Sequence, residues 1–291
     1  MISSLIHNPG DHTVIAKFQH PSIYLDTWAI REISQDDSKR KRFIDVLYKQ
    51  NGTLLFSLAL NVELARTAGN SYDDVMKTLK EVGTKWFPID VNAVRVIEKE
   101  EKAVDGKTED GQPVFFDEAF MRSYYPYVSD EEPTLGKLEE LLKDQKNIYD
   151  SIHSSVGVLA QKIINARKYF KNQHPLFNQE AFLEKTFNPQ QPTKYTYNGL
   201  MRYCFESSKN IGVNDIHDLY HAAVPIAYAD FVILEKSWHD IAKSRLKQVP
   251  QIDERIFFSV DVFLAHIEKD FEIIKECQNS FLKAGHGGGN S

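Results

Sequence analysis

Near its start, the chain alternates short apolar runs with amphipathic stretches, and this alternation limits the possible folds more than any other property. Ser22–Leu25 and Thr53–Ser57 favour β-strand, as does the run at residues 85–90. Residues 35–49 and 72–82 lie between these runs and carry apolar positions at helical spacing. Because parallel strands need long crossover connections, which are usually helical, the pattern predicts an α/β fold around a parallel sheet.

The same alternation returns late in the chain. A predicted helix begins at residues 215–218, and Pro225 is expected to end or kink it. Phe231–Leu234 and Ile256–Ser259 then favour strand, and residues 262–282 favour a closing helix. We therefore expect the C-terminal part to add strands to the same sheet.

The middle of the chain has a different pattern. Residues 135–170 show helical periodicity, and Pro189 and Pro192 are expected to break the segment that follows. Almost no strand signal is found there, which predicts a mostly helical insertion or cap. The predicted organisation is one domain inserted into another: a discontinuous α/β domain at residues 1–92 and 206–284, a helical insertion at 93–205, and a flexible tail at 285–291.

Composition excludes some classes of protein. The 291 residues are 42% hydrophobic and 26% charged, which is typical of a globular protein and not of a disordered one. Subtracting 41 acidic from 35 basic residues gives a net charge of −6. This charge argues against binding to nucleic acid by bulk attraction, but it is compatible with an enzyme that handles nucleic acid through metal ions.

The cysteines and the apolar runs predict the compartment. Cys204 and Cys277 are too few for a disulfide framework and favour a reducing environment. The first residues lack the pattern of a signal peptide, and no apolar run approaches the roughly 18 residues of a membrane span. We therefore expect a cytoplasmic protein without a membrane partner.

Acidic residues stand where the predicted strands end. Asp26 follows the first strand, Glu63 follows the second, and Glu235 follows a later strand. Because parallel strands end along one edge, where ligands bind, these side chains are expected to lie close together. Asp215 and Asp218 are three residues apart at the head of a helix, so they share a face that can point into the same crevice.

Several carboxylates in one crevice favour a bound cation. Like charges raise each other's pKa, and hard ions such as Mg²⁺ or Mn²⁺ relieve the repulsion. Two such ions can activate water and stabilise the leaving oxygen in phosphodiester cleavage. The alternative is that each acid caps a helix or is a solvated surface charge, and Asp215 in particular suits a helix N-terminus. Spacing alone leaves both interpretations open.

The ordered motifs resemble the PIN-like nuclease superfamily. The matching segments are Asp26-Thr27, Asn61-Val62-Glu63-Leu64, Asp215-Ile216-His217-Asp218-Leu219 and the run from Pro225 to Lys236. Ile256–Ser259 followed by Asp261–Leu264 is similar to the closing strand and helix of that family. The resemblance covers roughly residues 20–92 and 210–270 and leaves the middle of the chain unaccounted for.

The resemblance implies a three-layer α/β/α sandwich with a central parallel sheet and Mg²⁺- or Mn²⁺-dependent cleavage of RNA. It makes Asp26 the first acid, Glu63 the second and Asp218 the third, with Asp215 as a rival or additional metal ligand. Asp230 matches an acid that precedes the last metal-site strand in some branches. The implied catalytic residues are Asp26, Glu63, Asp218 and Asp230, and the implied metal ligands are these four and Asp215.

The chain also departs from the family pattern. Trp28 stands where asparagine or serine is frequent, and Leu234-Glu235-Lys236 replaces the commoner Thr-Asp strand ending. One metal ion or two are both compatible with these motifs. Two alternatives to an endoribonuclease stay open: a catalytically inactive PIN-like protein that binds RNA or regulates, and a structure-specific DNA nuclease, although the basic arch of the flap-nuclease type is not evident.

Candidate substrate contacts are fewer and weaker. The run Ser38-Lys39-Arg40-Lys41-Arg42 could lead a phosphate backbone to the carboxylates, or it could form a solvated helix face. His217 could assist a substrate phosphate, and a zinc site at His217 and His221 lacks the glutamate of a zinc-protease helix. The candidate substrate-binding residues are Thr27, His217, Lys39, Arg40, Lys41 and Arg42. RNA is the expected partner, and a homo-oligomer or an inhibitory protein is compatible with the sequence.

Overall fold

A five-stranded parallel sheet forms the centre of the protein in a computed structural model. The structure describes residues 2–8, 11–16, 19–65, 70–106, 112–127, 133–144, 157–158, 160–168, 186–206 and 211–269. The strands are β1 (Ile2–Asn8), β2 (Asp11–Ala16), β3 (Ser22–Leu25), β4 (Thr53–Phe56), β5 (Trp86–Pro88), β6 (Phe231–Ile233) and β7 (Ile256–Phe257). The predicted tail at residues 285–291 lies outside the described residues.

The order of the strands across the sheet is β5-β4-β3-β6-β7, and every neighbouring pair is parallel. Strand β3 lies at the centre, where Tyr24 is in register with Leu55 on one side and Val232 on the other. All four residues of β3 are buried, as expected for a parallel strand that is covered on both faces. The prediction of an α/β fold with a parallel sheet is confirmed.

The helices pack in two groups around this sheet. They are α1 (Thr27–Gln35), α2 (Asp37–Lys49), α3 (Leu58–Ala65), α4 (Asn70–Val82), α5 (Ala93–Val104), α6 (Glu118–Tyr124), α7 (Leu138–Asp144), α8 (160–168), α9 (Pro192–Glu206), α10 (Val213–Tyr228), α11 (Lys236–Arg245), α12 (Ile252–Arg255) and α13 (260–269). Helices α1, α2 and α4 contact one another, and α9 and α10 pack together beside α5 and α11. This grouping is consistent with helices on both sides of the sheet.

The N-terminal residues form a β-hairpin that the sequence analysis missed. Strands β1 and β2 pair antiparallel, from Ile2 opposite Ala16 to Asn8 opposite Asp11. The available signal was the Pro9-Gly10 dipeptide between two runs that can form strands.

Two prolines lie near helix ends. The described residues 186–191 are not helical, and helix α9 begins at Pro192, where the missing N–H has no intrahelical partner to lose, so the predicted break falls directly before this helix. Helix α10 continues past Pro225 to Tyr228, and the Ala229 N–H donates to the Pro225 carbonyl at 2.8 Å. Pro225 therefore lies in the last turn of α10.

Residues assigned to the helical insertion share the core of the sheet. The Trp86 ring of β5 lies 5.7 Å from the Phe120 ring and 5.2 Å from the Tyr124 ring, measured between centroids. On α5, the buried Glu100 accepts hydrogen bonds from the Thr193 N–H at 2.9 Å and the Tyr228 hydroxyl at 2.6 Å. These contacts join α5, α9 and α10, and the division at residues 93–205 stays a prediction.

Candidate functional site: four carboxylates at the carboxyl end of the sheet

The centre of the sheet contains a point where the strand order reverses. Strand β4 follows β3 on one side, whereas β6 joins β3 on the other side. Ligands of open α/β sheets bind in the crevice outside the carboxyl ends of the strands at such a point. Here the Asp26 N–H donates to the Ile233 carbonyl at 3.1 Å, so the ends of β3 and β6 are tied together. The crevice therefore lies directly beyond Asp26.

Asp26 is positioned by the start of helix α1. It is the N-cap of α1, and its Oδ1 accepts a hydrogen bond from the Thr27 N–H at 2.7 Å. Such a cap satisfies one of the N–H groups that the first turn leaves without a partner. The Thr27 hydroxyl donates to Glu63 Oε2. Thr27 thus holds two carboxylates, one through its backbone and one through its side chain.

Glu63 reaches the crevice from helix α3, the helix that follows β4. Its backbone carbonyl accepts from the Arg31 guanidinium at 3.2 Å. His221 Nε2 lies 3.4 Å from Glu63 Oε1, and His221 Nδ1 lies 3.4 Å from the hydroxyl of the buried Tyr24. Both oxygens of the Glu63 carboxylate therefore have a neighbour within the protein.

Asp218 and Glu235 complete the group. Asp218 is three residues before His221 on α10, so the two side chains share a face of that helix. The Trp238 indole N–H, from α11, donates to Asp218 Oδ2 at 3.3 Å. Glu235 is exposed and directly precedes α11 at the carboxyl end of β6. We call Asp26, Glu63, Asp218 and Glu235 the carboxylate group.

The members of the carboxylate group interact electrostatically. Burial raises the pKa of Asp26 to about 6, and the charges of Glu63 and Glu235 add to this rise against the opposing effect of His221. Burial, followed by the charges of Asp26 and Glu235, raises the pKa of Asp218 to about 7, while the Trp238 hydrogen bond acts against it. The site thus concentrates negative charge that a cation would relieve.

The same carboxylates do not converge on one point. Within the part of the chain that the structure describes, no three Asp, Glu, His or Cys side chains lie close enough together to hold a metal ion. The chemistry of the donors nevertheless fits a hard cation, because all four members of the carboxylate group offer carboxylate oxygens.

Asp230 is not part of this group, contrary to the prediction. Its Oδ2 accepts from the Ser22 N–H at 2.7 Å and the Ser22 hydroxyl at 2.8 Å, and it lies 2.6 Å from His20 Nδ1. Asp230 precedes β6 and therefore lies at the amino end of the sheet, whereas Glu235 follows β6 at the carboxyl end. The direction of the strand separates two acids that are five residues apart.

Asp215 has a local structural role instead of joining the carboxylate group. Its Oδ2 accepts from the Gly212 N–H at 2.7 Å at the start of α10. Asp218 is nearly one turn further along the helix, where it can reach the crevice. The structure thus favours the helix-terminus interpretation of Asp215 and does not bring it to the predicted metal site.

Three of the four cationic side chains in the predicted basic run form ion pairs within the protein: Lys39, Arg40 and Arg42. Lys39 Nζ contacts Glu32 at 2.6 Å and Asp261 at 2.9 Å. Arg40 is buried and bonds to Asp37, Glu81 and the Ser34 carbonyl, and Arg42 makes a bidentate pair with Glu268 at 2.8 and 2.9 Å. Lys41 is exposed. These contacts hold α2 to its neighbours, so they do not support the predicted phosphate path.

The other predicted substrate contacts have mixed outcomes. Thr27 lies in the site, but its hydroxyl is engaged by Glu63. His217 is half-buried on α10, and its contact with a substrate stays a prediction. The sequence analysis missed the positioning roles of Tyr24, His221 and Trp238. For His221 the signal was its spacing of three residues from Asp218, which places both on one helix face.

Two further buried acids, Asp90 and Asp117, lie near the end of β5, where the Asp117 N–H donates to the Pro88 carbonyl at 3.2 Å. Asp90 accepts from the Asn92 N–H at 2.9 Å and the Arg95 guanidinium at 2.8 Å. Asp117 caps α6 by accepting from the Phe120 N–H at 3.0 Å, and burial together with the Asp90 charge raises the pKa of Asp117 to about 6. Asp90 has a cationic partner and Asp117 caps a helix. These structural roles account for the burial of both acids.

The chain matches no protein-family model, no curated protein and no solved structure. Similarity therefore adds nothing to the resemblance drawn from the motifs. Among the described helices, none is long and apolar enough to cross a membrane.

Proposed function

We propose that the protein is a PIN-like, metal-dependent endoribonuclease that hydrolyses RNA phosphodiester bonds at the carboxylate group. The observation that carries the proposal is that acids from four separate segments lie around the point where the strand order reverses and influence one another electrostatically, with the pKa of Asp26 and of Asp218 raised by burial and by neighbouring charges. An acidic crevice at this position suits a cation and an anionic substrate held through it.

Asp26, Glu63, Asp218 and Glu235 would hold the ion, with Glu235 in place of the predicted Asp230. Mg²⁺ and Mn²⁺ suit oxygen ligands, and either would supply water activation and stabilisation of the leaving oxygen. The protein contributes the orientation of its ligands. The Thr27 N–H and hydroxyl orient Asp26 and Glu63, and the Trp238 indole orients Asp218.

The test compares RNA cleavage by three purified proteins in Mn²⁺. Single-stranded RNA is incubated with the wild type, with Asp26→Asn and with Glu254→Gln, a matched loss of one charge on the exposed surface of α12, before β7. We expect the wild type and Glu254→Gln to cleave equally and Asp26→Asn to lose at least about 100-fold, more than the loss usual for an outer-shell partner. Equal cleavage by all three would contradict the proposal, and preference for branched DNA would favour the structure-specific DNA nuclease.

A second candidate is a PIN-like protein that binds RNA without cleaving it. The observation in its favour is that the described ligands do not converge and that Thr27 and His221 contact both oxygens of Glu63. Calorimetric titration with Mn²⁺ separates the two functions. An endoribonuclease predicts saturable binding that Asp218→Asn weakens, whereas the second candidate predicts no binding heat.

A further inference from the structure

Beside the carboxylate group, an aromatic ring and a lysine lie together on the surface. Phe258 directly follows β7, and its side chain is 44% exposed. The ammonium of Lys236, the first residue of α11, lies 5.7 Å from the centroid of the Phe258 ring. The His239 ring packs against Phe258 with 4.8 Å between centroids. The Phe258 ring is therefore supported from the protein side and still accessible to solvent.

The register of the sheet places this ring close to the proposed catalytic acids. Ile233 of β6 is aligned with Phe257 of β7, and the Leu234 N–H donates to the Phe257 carbonyl at 2.9 Å. Glu235 and Phe258 thus emerge from neighbouring strand ends. Since adjacent strands are about 4.8 Å apart, the backbones of Asp26 and Phe258 are separated by two spacings, roughly 10 Å.

A single exposed phenylalanine is common on protein surfaces. Here, however, three features that can bind or cleave an RNA strand lie close together. A ring offers a stacking surface to a base, a lysine offers a cation to a phosphate, and the nearby acids are the proposed site of cleavage. Bases inside a duplex have their faces covered by their neighbours, whereas unpaired bases can stack on an aromatic side chain.

We propose that Phe258 and Lys236 form a stacking site for one unpaired base of the RNA, with a neighbouring phosphate on the Lys236 ammonium. The inference rests on the proposed function, because it names the form of substrate that the carboxylate group receives. It assigns single-stranded RNA, held across the ends of β6 and β7.

The protein offers a matched control at the opposite end of the sheet. Tyr48 is 48% exposed, and Lys85 Nζ lies 5.8 Å from its ring centroid. Tyr48 lies near the end of α2, before β4, and Lys85 directly precedes β5, so this pair belongs to the amino end. An exposed ring with a lysine is thus present at both ends, and only one pair is beside the acids.

The experiment measures RNA binding in an Asp26→Asn background with Mg²⁺ present. The ligand is a single-stranded oligonucleotide carrying 2-aminopurine, whose fluorescence falls on stacking, and a fully paired duplex of the same sequence is measured in parallel. We expect Phe258→Leu to weaken single-strand binding about 5- to 100-fold and to abolish the quenching. Phe258→Tyr should bind like the parent, Tyr48→Leu should have no effect, and Lys236→Gln should reduce the salt slope by about 0.7.

Three results for Phe258→Leu would overturn the stacking site. They are an unchanged affinity for the single strand, an equal loss of affinity for the duplex, and a change only in the self-association of the protein. The result is independent of cleavage. If the wild type fails to cleave RNA in Mn²⁺ while binding still depends on the ring, the proposed enzyme activity fails and the stacking site stands. If cleavage occurs and Phe258→Leu binds normally, only the stacking site fails.

Discussion

The acidic residues at the two ends of the parallel sheet have opposite electrostatic surroundings. At the amino end, Asp230 is surrounded by donors from Ser22 and His20. At the carboxyl end, Asp26 and Asp218 face other carboxylates, and their pKa values rise. Donors stabilise a charged carboxylate, whereas burial among like charges destabilises it. Asp230 therefore stabilises the fold. The negative charge of Asp26 and Asp218, by contrast, can be compensated by a bound ligand.

The largest expected effect is at the amino end. Asp230→Ala removes the acceptor of the Ser22 N–H and hydroxyl, and Ser22 is fully buried, so the free energy of unfolding should fall by about 3 kcal/mol. Asp230→Asn keeps an oxygen acceptor and should lose about half as much. Urea unfolding measures both. The Mn²⁺ affinity of the folded protein should stay unchanged. A loss of that affinity would show that the acid at the amino end also contributes to cation binding.

The next effect concerns pH at the carboxyl end. The folded pKa of Asp218, about 7, lies above its unfolded value of 3.8, so its stabilising contribution is complete below about pH 4 and is lost as pH rises through 7. Asp218→Asn should therefore be more stable than the wild type at pH 8, by about 2 kcal/mol, with a smaller difference at pH 5. Urea unfolding at the two pH values provides the measurement.

The control for this pH effect is on the same helix. Asp215→Asn alters the capping of the Gly212 N–H and should lower or leave unchanged the stability at both pH values. At pH 8, Mn²⁺ should stabilise the wild type more than Asp218→Asn, because a ligand of the folded state raises the free energy of unfolding. A wild type that gains stability between pH 5 and pH 8 relative to Asp218→Asn would contradict the electrostatic picture.

A smaller effect tests how the carboxyl end orients its acids. Thr27→Val removes the hydroxyl that donates to Glu63 while keeping a side chain of similar shape. Partners that orient metal ligands contribute about 10- to 100-fold, so cleavage or Mn²⁺ affinity should fall at least about tenfold. Thr27→Ser should restore most of the loss. Full activity in Thr27→Val would show that Glu63 needs no such support.

The smallest effect concerns the basic run. Arg42→Met breaks the half-buried bidentate pair with Glu268 and should cost about 0.5–1 kcal/mol of stability, as solvent-accessible ion pairs usually do. RNA affinity should change less than twofold. A large loss of RNA affinity with normal stability would show that the basic run contributes to substrate binding.

Several parts of this picture were accessible from the sequence. The five sheet strands were predicted because each is a short apolar run bounded by helical periodicity. Asp26 and Glu63 were expected at one edge because each follows a strand, and the structure places them there, bridged by Thr27. The hairpin of β1 and β2 was missed.

The sequence by itself determined the α/β class, because burial on both faces of a parallel strand requires a continuous apolar run that is visible without any partner. It also determined which acids follow strands. Only the tertiary structure decided that Asp230 bonds to Ser22, that His221 lies between Tyr24 and Glu63, and that Phe258 emerges beside Glu235. These contacts join residues far apart in the chain, and their distances depend on strand order and register, which local patterns do not encode.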